Sequence, residues 1–155
     1  MLLLPAAFPV CAWVAWSDLA RMRIPNRAVL ALLVVFLLIG PVVLPWPEYA
    51  SRWLHLAVVL AVGFALTLAR LIGAGDAKFL AAMAPFIDRH DAAFFLLLTA
   101  AVLLVAFAAH RLARASPAVR RRVPHWESWS RREFPMGLAL GLALPLYLGI
   151  SLATA

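Results

Sequence analysis

The stretch Ala92-Ala-Phe-Phe-Leu-Leu-Leu-Thr-Ala-Ala-Val-Leu-Leu-Val-Ala-Phe-Ala-Ala109 decides the fold. It carries no charge and approaches the roughly 20 apolar residues that a helix needs to cross the hydrocarbon of a bilayer. Other uncharged runs stand on either side of it: Met1–Ser17, Ala28–Leu44, Trp53–Ala69, Phe79–Ile87 and Phe134–Ala155. Of the 155 residues 66% are apolar and 14% charged, and the mean hydropathy is +0.95. A soluble domain of this size has no interior large enough for so much hydrocarbon. In lipid, backbone amides must find their partners within the spanning structure, which leaves helices or closed barrels. The runs lack the alternation of barrel strands. The sequence therefore predicts an all-α polytopic membrane protein of about six transmembrane helices, forming one domain over residues 1–155. The first run has no basic residue ahead of it and no small-residue cleavage site, and Arg21, Arg23 and Arg27 follow it, so it reads as a span and not a signal peptide. Cys11, the single cysteine, lies inside that span. It excludes a disulfide framework or a cysteine zinc site and reads as packing.

Six alternating spans sort the basic residues by side. Arg21, Arg23, Arg27, Arg70, Lys78, Arg111, Arg114, Arg120, Arg121, Arg122, Arg131 and Arg132 fall on one side, and only Arg52 and Arg89 on the other. Cytoplasmic loops carry the positive excess, so the rich side is expected to be cytoplasmic and both termini outward. The net charge of +7 thus reflects topology, with Arg120–Arg122 directed to anionic lipid headgroups and not to nucleic acid. Trp46 and Trp53, with Pro45, Pro47 and Glu48, read as an interfacial belt and a turn on the outer side.

The chain has seven acidic residues. Glu48, Asp88, Asp91, Glu127 and Glu133 lie in polar stretches or at the end of a span and need no special explanation. Asp18 closes the first apolar run, and Asp76 opens the fourth within Ile72-Gly73-Ala74-Gly75-Asp76-Ala77-Lys78. Both belong to the same side of the bundle, so they can meet although 58 residues separate them. Asp76 to Ile87 is 12 residues, about 18 Å of helix. Either that helix extends past Ile87 or Asp76 starts below the headgroups, where a carboxylate is costly and functional roles are common. Two neighbouring carboxyls tend to share one proton. The ionised one can then act as a general base on water while the other polarises a carbonyl, which is aspartic proteolysis and needs no cofactor. The bland alternatives are a helix cap for Asp76 and a pairing of Asp18 with Arg21 or Arg23. Gly73 and Gly75 are expected to adopt backbone angles closed to other residues and to let a peptide approach. Gly137 and Gly141 form a Gly-x-x-x-Gly pair suited to close helix packing. His55, His90, His110 and His125 show no metal-ligand spacing, so no metal is expected.

At these residues the chain resembles the type IV prepilin peptidases, membrane aspartic peptidases with one aspartate ahead of an Ile-Pro-Asn turn and a second in Gly-x-Gly-Asp. Asp18 with Ile24-Pro25-Asn26 matches the first motif. Gly73-Ala74-Gly75-Asp76-Ala77-Lys78 matches the second, and Phe134-Pro135-Met136-Gly137 is similar to the Pro-Tyr-Gly often found before the last span. The resemblance implies catalysis by Asp18 and Asp76, with supporting or substrate-binding roles for Gly73, Gly75, Lys78, Ile24, Pro25 and Asn26. It implies a multi-pass protein of the bacterial inner membrane with periplasmic termini and an active site facing the cytoplasm. Substrates would be prepilin or pseudopilin precursors, cut between a basic leader and an apolar helix. No paired-cysteine region precedes Asp18, so the resemblance is to the short form serving Flp-type (tight-adherence) pili, with cleavage and no methylation expected. Two other readings remain: a presenilin-like Gly-x-Gly-Asp protease cutting within a membrane helix, and a small ion-coupled transporter in which the aspartates bind protons or cations. An inactive scaffold would tolerate loss of either.

Overall fold

In the computed structural model, which describes residues 2–154, helices α1 (Leu3–Arg21), α2 (Asn26–Val43), α3 (Trp46–Leu68), α4 (Ala74–Met83), α5 (Ala92–Ala115), α6 (Pro117–Arg122) and α7 (Met136–Thr154) follow one another without a strand among the described residues. Met1 and Ala155, the outer ends of the first and last apolar runs, lie outside the described residues. The protein is all-helical, and α1, α2, α3, α5 with the turn before it, and α7 are long and apolar enough to cross a membrane.

The fourth run differs from the other spans. Helix α4 has only 10 residues. Pro85 lacks the N–H that would continue its ladder, so the chain tightens into a 3-10 turn at Ala84–Phe86 and becomes extended at Ile87. The segment still runs from one end of the bundle to the other, antiparallel to α3. A Cβ on Gly63 would sit 3.1 Å from the Ala77 Cβ, and farther along Arg52 meets Asp88. Since Ala77 is level with Gly63 and α3 continues to Leu68, Asp76 begins about 6 Å inside the end of α3. The helix does not extend past Ile87; its carboxylate starts within the bundle.

Apolar association gains little where lipid tails are as apolar as leucine, so close approach of backbones must hold the helices together. The most extensive contact, between α1 and α7, is built this way. Gly141 lies so near α1 that a Cβ there would be 2.5 Å from the Cys11 carbonyl oxygen. Cys11 is fully buried in this seam, as packing requires. Phe36, Phe79, Leu32, Met83, Leu140 and Leu144 fill the centre. Leu97 and Leu104, more than 70% exposed, face outward in the manner of lipid-facing residues.

The two ends of the bundle differ in charge as the alternating spans require. One end holds the α3 start, the Asp88 region and the outer half of α7. There the buried Arg52 guanidinium bonds to Glu48 Oε1 at 2.5 Å and to Asp88 Oδ2 at 2.8 Å. The Asp88 backbone N–H donates to Tyr147 Oη at 3.0 Å, and Tyr147 donates to Asp91 Oδ2 at 2.8 Å. The His90 backbone N–H, and less strongly Arg52, hold the Asp88 carboxyl below the usual carboxylate range. Acids that read as unremarkable in sequence thus tie three helices together. At the other end a train of aromatic contacts pins the long basic loop: Trp16 to Trp126, Trp126 to Trp129, Trp129 to His110 and His110 to Phe134.

Candidate active site

Asp18 sits in the last turn of α1, 6% exposed. Its Oδ2 accepts the Gly137 backbone N–H at 2.6 Å. The first N–H groups of a helix have no partner within it, and α7 begins beside Asp18 just after Pro135, so an orphan donor at a positive helix end meets the carboxylate. A glycine is required at 137 for space: a Cβ would lie 2.9 Å from both the Asp18 Cβ and Oδ2. Among the described residues Asp18 forms no ion pair with Arg21 or Arg23. Beyond Asp18 the chain turns through Met22, whose φ of 51° lies in the left-handed region, and Ser17 Oγ donates to the Arg23 carbonyl at 2.9 Å.

Asp76 is the third residue of α4 and also lies at a helix N-terminus. Its side chain turns back to within reach of the Gly73 backbone N–H, the geometry by which an acid in the first turn satisfies an orphan donor. Asp18 and Asp76 line one cavity of about 630 Å³, together with Thr67, Arg70, Gly73 and Met136.

The other residues singled out in the sequence divide. Gly73 lines the cavity; Gly75, Ile24, Pro25, Asn26 and Lys78 do not. Pro25 precedes α2 in an extended conformation and Asn26 begins the helix. The Asn26 side chain accepts from Lys78 Nζ at 3.5 Å, so Lys78 links α4 to α2 and does not line the cavity. The expectation for the two glycines is corrected. Gly73 has φ −71° and ψ 146°, and no described glycine has positive φ. Their use is room, and unequal room. A Cβ at 73 would lie 2.7 Å from Asp76 Oδ2, whereas at 75 it would meet Ile24 Cβ at an ordinary 3.4 Å. Gly73→Ala is therefore expected to displace the Asp76 carboxyl and lower turnover about 100-fold, the usual cost of a displacement near 1 Å. Gly75→Ala should leave turnover within about 3-fold and stabilise the helix by roughly 0.5–1 kcal/mol. Cleavage rates and thermal unfolding of the two variants check this pair.

In the sequence Gly137 was read as a packing glycine and as the end of a Phe134-Pro135-Met136-Gly137 stretch similar to a family motif, with no contact to Asp18 foreseen. The packing is present, and the added bond to Asp18 comes from the proline-started helix end, whose signal was Pro135-Met136-Gly137. Thr67, Arg70, Arg131 and Glu133, which also border the cavity, carried no sequence signal.

A helical membrane-crossing bundle that brings two carboxyls from distant segments to one polar cavity has the architecture of a membrane-embedded acid/base site. Residues 6–109 match the model of the type IV leader peptidase family, and the chain belongs to that family of peptidases. The match runs from α1 into α5 and includes both aspartates, while α7 lies beyond it. Neither a curated protein nor a solved structure matches the chain significantly.

Proposed function

We propose that the protein is a membrane aspartic endopeptidase that removes the basic leader from prepilin-like precursors, of the Flp pilin or pseudopilin kind, with residues 1–155 working as one domain. The observation that carries this reading is the presence of Asp18 and Asp76, 58 residues apart in sequence, on the wall of a single cavity. One carboxylate takes a proton from water as the water attacks the scissile carbonyl. The other, protonated, polarises the carbonyl oxygen, and a proton then passes to the leaving amine. The pair titrates as a unit. Neither a metal nor a cofactor takes part. The Gly137 N–H at the start of α7 holds the Asp18 carboxyl in place, and Asp76 is held at the first turn of α4.

The excess of basic residues at the cavity end supports a cytoplasmic site in the bacterial inner membrane, with periplasmic termini and anionic lipids beside Arg120–Arg122. A substrate would then present its leader from the cytosol and its apolar helix from the bilayer. Co-expressing such a precursor with this protein and mapping the new N-terminus by mass spectrometry tests the proposal. One cut is expected, at the border between leader and helix. An untouched precursor would end the peptidase reading and favour an ion-coupled or scaffolding role. A cut within the helix would replace it with presenilin-like proteolysis.

A further inference from the structure

Helix α7 touches both segments that carry the two aspartates. At its start the Gly137 backbone N–H donates to Asp18 Oδ2 at 2.6 Å. Ten residues further along, about 15 Å of helix, Tyr147 Oη accepts the backbone N–H of Asp88 at 3.0 Å. Asp88 stands at the far end of the crossing that begins with Asp76, so α7 meets the two acid-bearing segments at two set heights. Pro145 removes one hydrogen bond from α7, but contacts with α1, α4 and α5 enclose that helix on three sides.

The height of Asp76 depends on the far end of its segment. At the near end Ala69, Arg70, Leu71 and Gly73, in the link from α3, are exposed and give α4 little to brace against. At the other end the helix stops at Met83, but Ala84, Pro85, Phe86 and Ile87 are buried, and Ala84–Phe86 closes a 3-10 turn. A displacement at Asp88 therefore passes along a packed chain to α4 and is not absorbed in a loose linker. Two groups hold Asp88. Arg52 reaches its carboxylate, which can rotate about its own side-chain bonds while the chain stays or slides. Tyr147 reaches its backbone N–H, which moves only with the chain. The tyrosine is buried; its hydroxyl is directed by donating to Asp91 Oδ2 at 2.8 Å, and its ring packs edge-on against Phe95 with centroids 5.5 Å apart.

We propose that Tyr147 is a positioning residue: through Asp88 it fixes where Asp76 stands relative to Asp18, with α7 as the common frame for both. The inference rests on the peptidase reading of the cavity. Proton exchange among the carboxyls, water and the scissile amide needs hydrogen-bond reach, so a small slide of α4 costs turnover and not binding. The test uses full-length protein in detergent and a purified Flp-type pilin precursor, with rates expressed per folded protein. Tyr147→Phe keeps the ring and removes the hydroxyl. It should lower kcat about 10-fold at unchanged KM and alter the shape of the pH dependence of kcat, because the coupling of two titrating groups follows their separation. Phe95→Leu disturbs the packing around the same ring and leaves the hydroxyl in place. It should lower the unfolding temperature and keep the kcat and pH profile of the parent. Where Tyr147→Phe fails to insert, Asp91→Ala decides: it takes away the acceptor that directs the hydroxyl and should show the same split at about 3-fold. The proposal is overturned if the deciding variant turns over as the parent does, if its loss lies in KM alone, or if Phe95→Leu reproduces it. Failure of the peptidase reading would look different, because the parent protein itself would leave the precursor uncut.

Discussion

Precursor cleavage by Asp18→Asn or by Asp76→Asn is expected to fall by about 10⁴-fold in kcat/KM, with neither change lowering the amount of inserted protein. Asparagine has the shape of aspartate and an oxygen that can still accept the Gly137 N–H, so the contact between α1 and α7 survives at position 18. What asparagine lacks is the ability to give or take a proton. Each member of the pair needs the other, so the double variant should be little worse than either single one. The size shift of a co-expressed precursor reports cleavage, and recovery from the membrane fraction reports insertion. Normal processing by either variant would show that the dyad is misassigned.

The next largest effects are expected at the two glycines of α7, and they should differ in kind. Gly141→Ala brings its Cβ to 2.5 Å from the Cys11 carbonyl oxygen and 3.1 Å from the Ala15 Cβ. The first neighbour is backbone of another helix and cannot turn aside, so α1 and α7 must separate. Overpacking of this sort costs about 1–3 kcal/mol, and the upper end applies where backbone meets backbone. Thermal unfolding in detergent should show a clear drop, with activity falling in step with the folded fraction. At Gly137 the added Cβ would stand 2.9 Å from Asp18 side-chain atoms. The carboxyl can turn away but the Asp18 Cβ moves only with α1, so Gly137→Ala should lose less stability than Gly141→Ala and, in addition, roughly 100-fold in turnover as Asp18 leaves its place. Equal unfolding temperatures for the two variants would contradict this distinction.

Much of the architecture was legible because its signals are local. Runs such as Ala92–Ala109 are long and uncharged wherever they sit, and a bilayer accepts only helices from them. The sorting of twelve basic residues to one end needed only the alternation of spans, and the same counting brought Asp18 and Asp76 to a common end. The motif around Gly73-Ala74-Gly75-Asp76 marked the family that residues 6–109 match. The glycine roles were misread because a sequence shows that a residue lacks a Cβ but not which neighbour fills the space. At 73 that neighbour is the Asp76 carboxyl, not a turn demanding an unusual angle.

The sequence by itself determined the solvent of this protein, its helices and the end at which its two aspartates lie, since each follows from hydropathy and charge read along the chain. Only the tertiary structure decided that α4 is a short crossing with Asp76 inside the end of α3, that the start of α7 supplies the N–H for Asp18, and that Arg52 gathers Glu48 and Asp88. The Arg52–Asp88 contact joins residues 36 apart and the Gly137–Asp18 contact residues 119 apart, and no local preference of the chain encodes either.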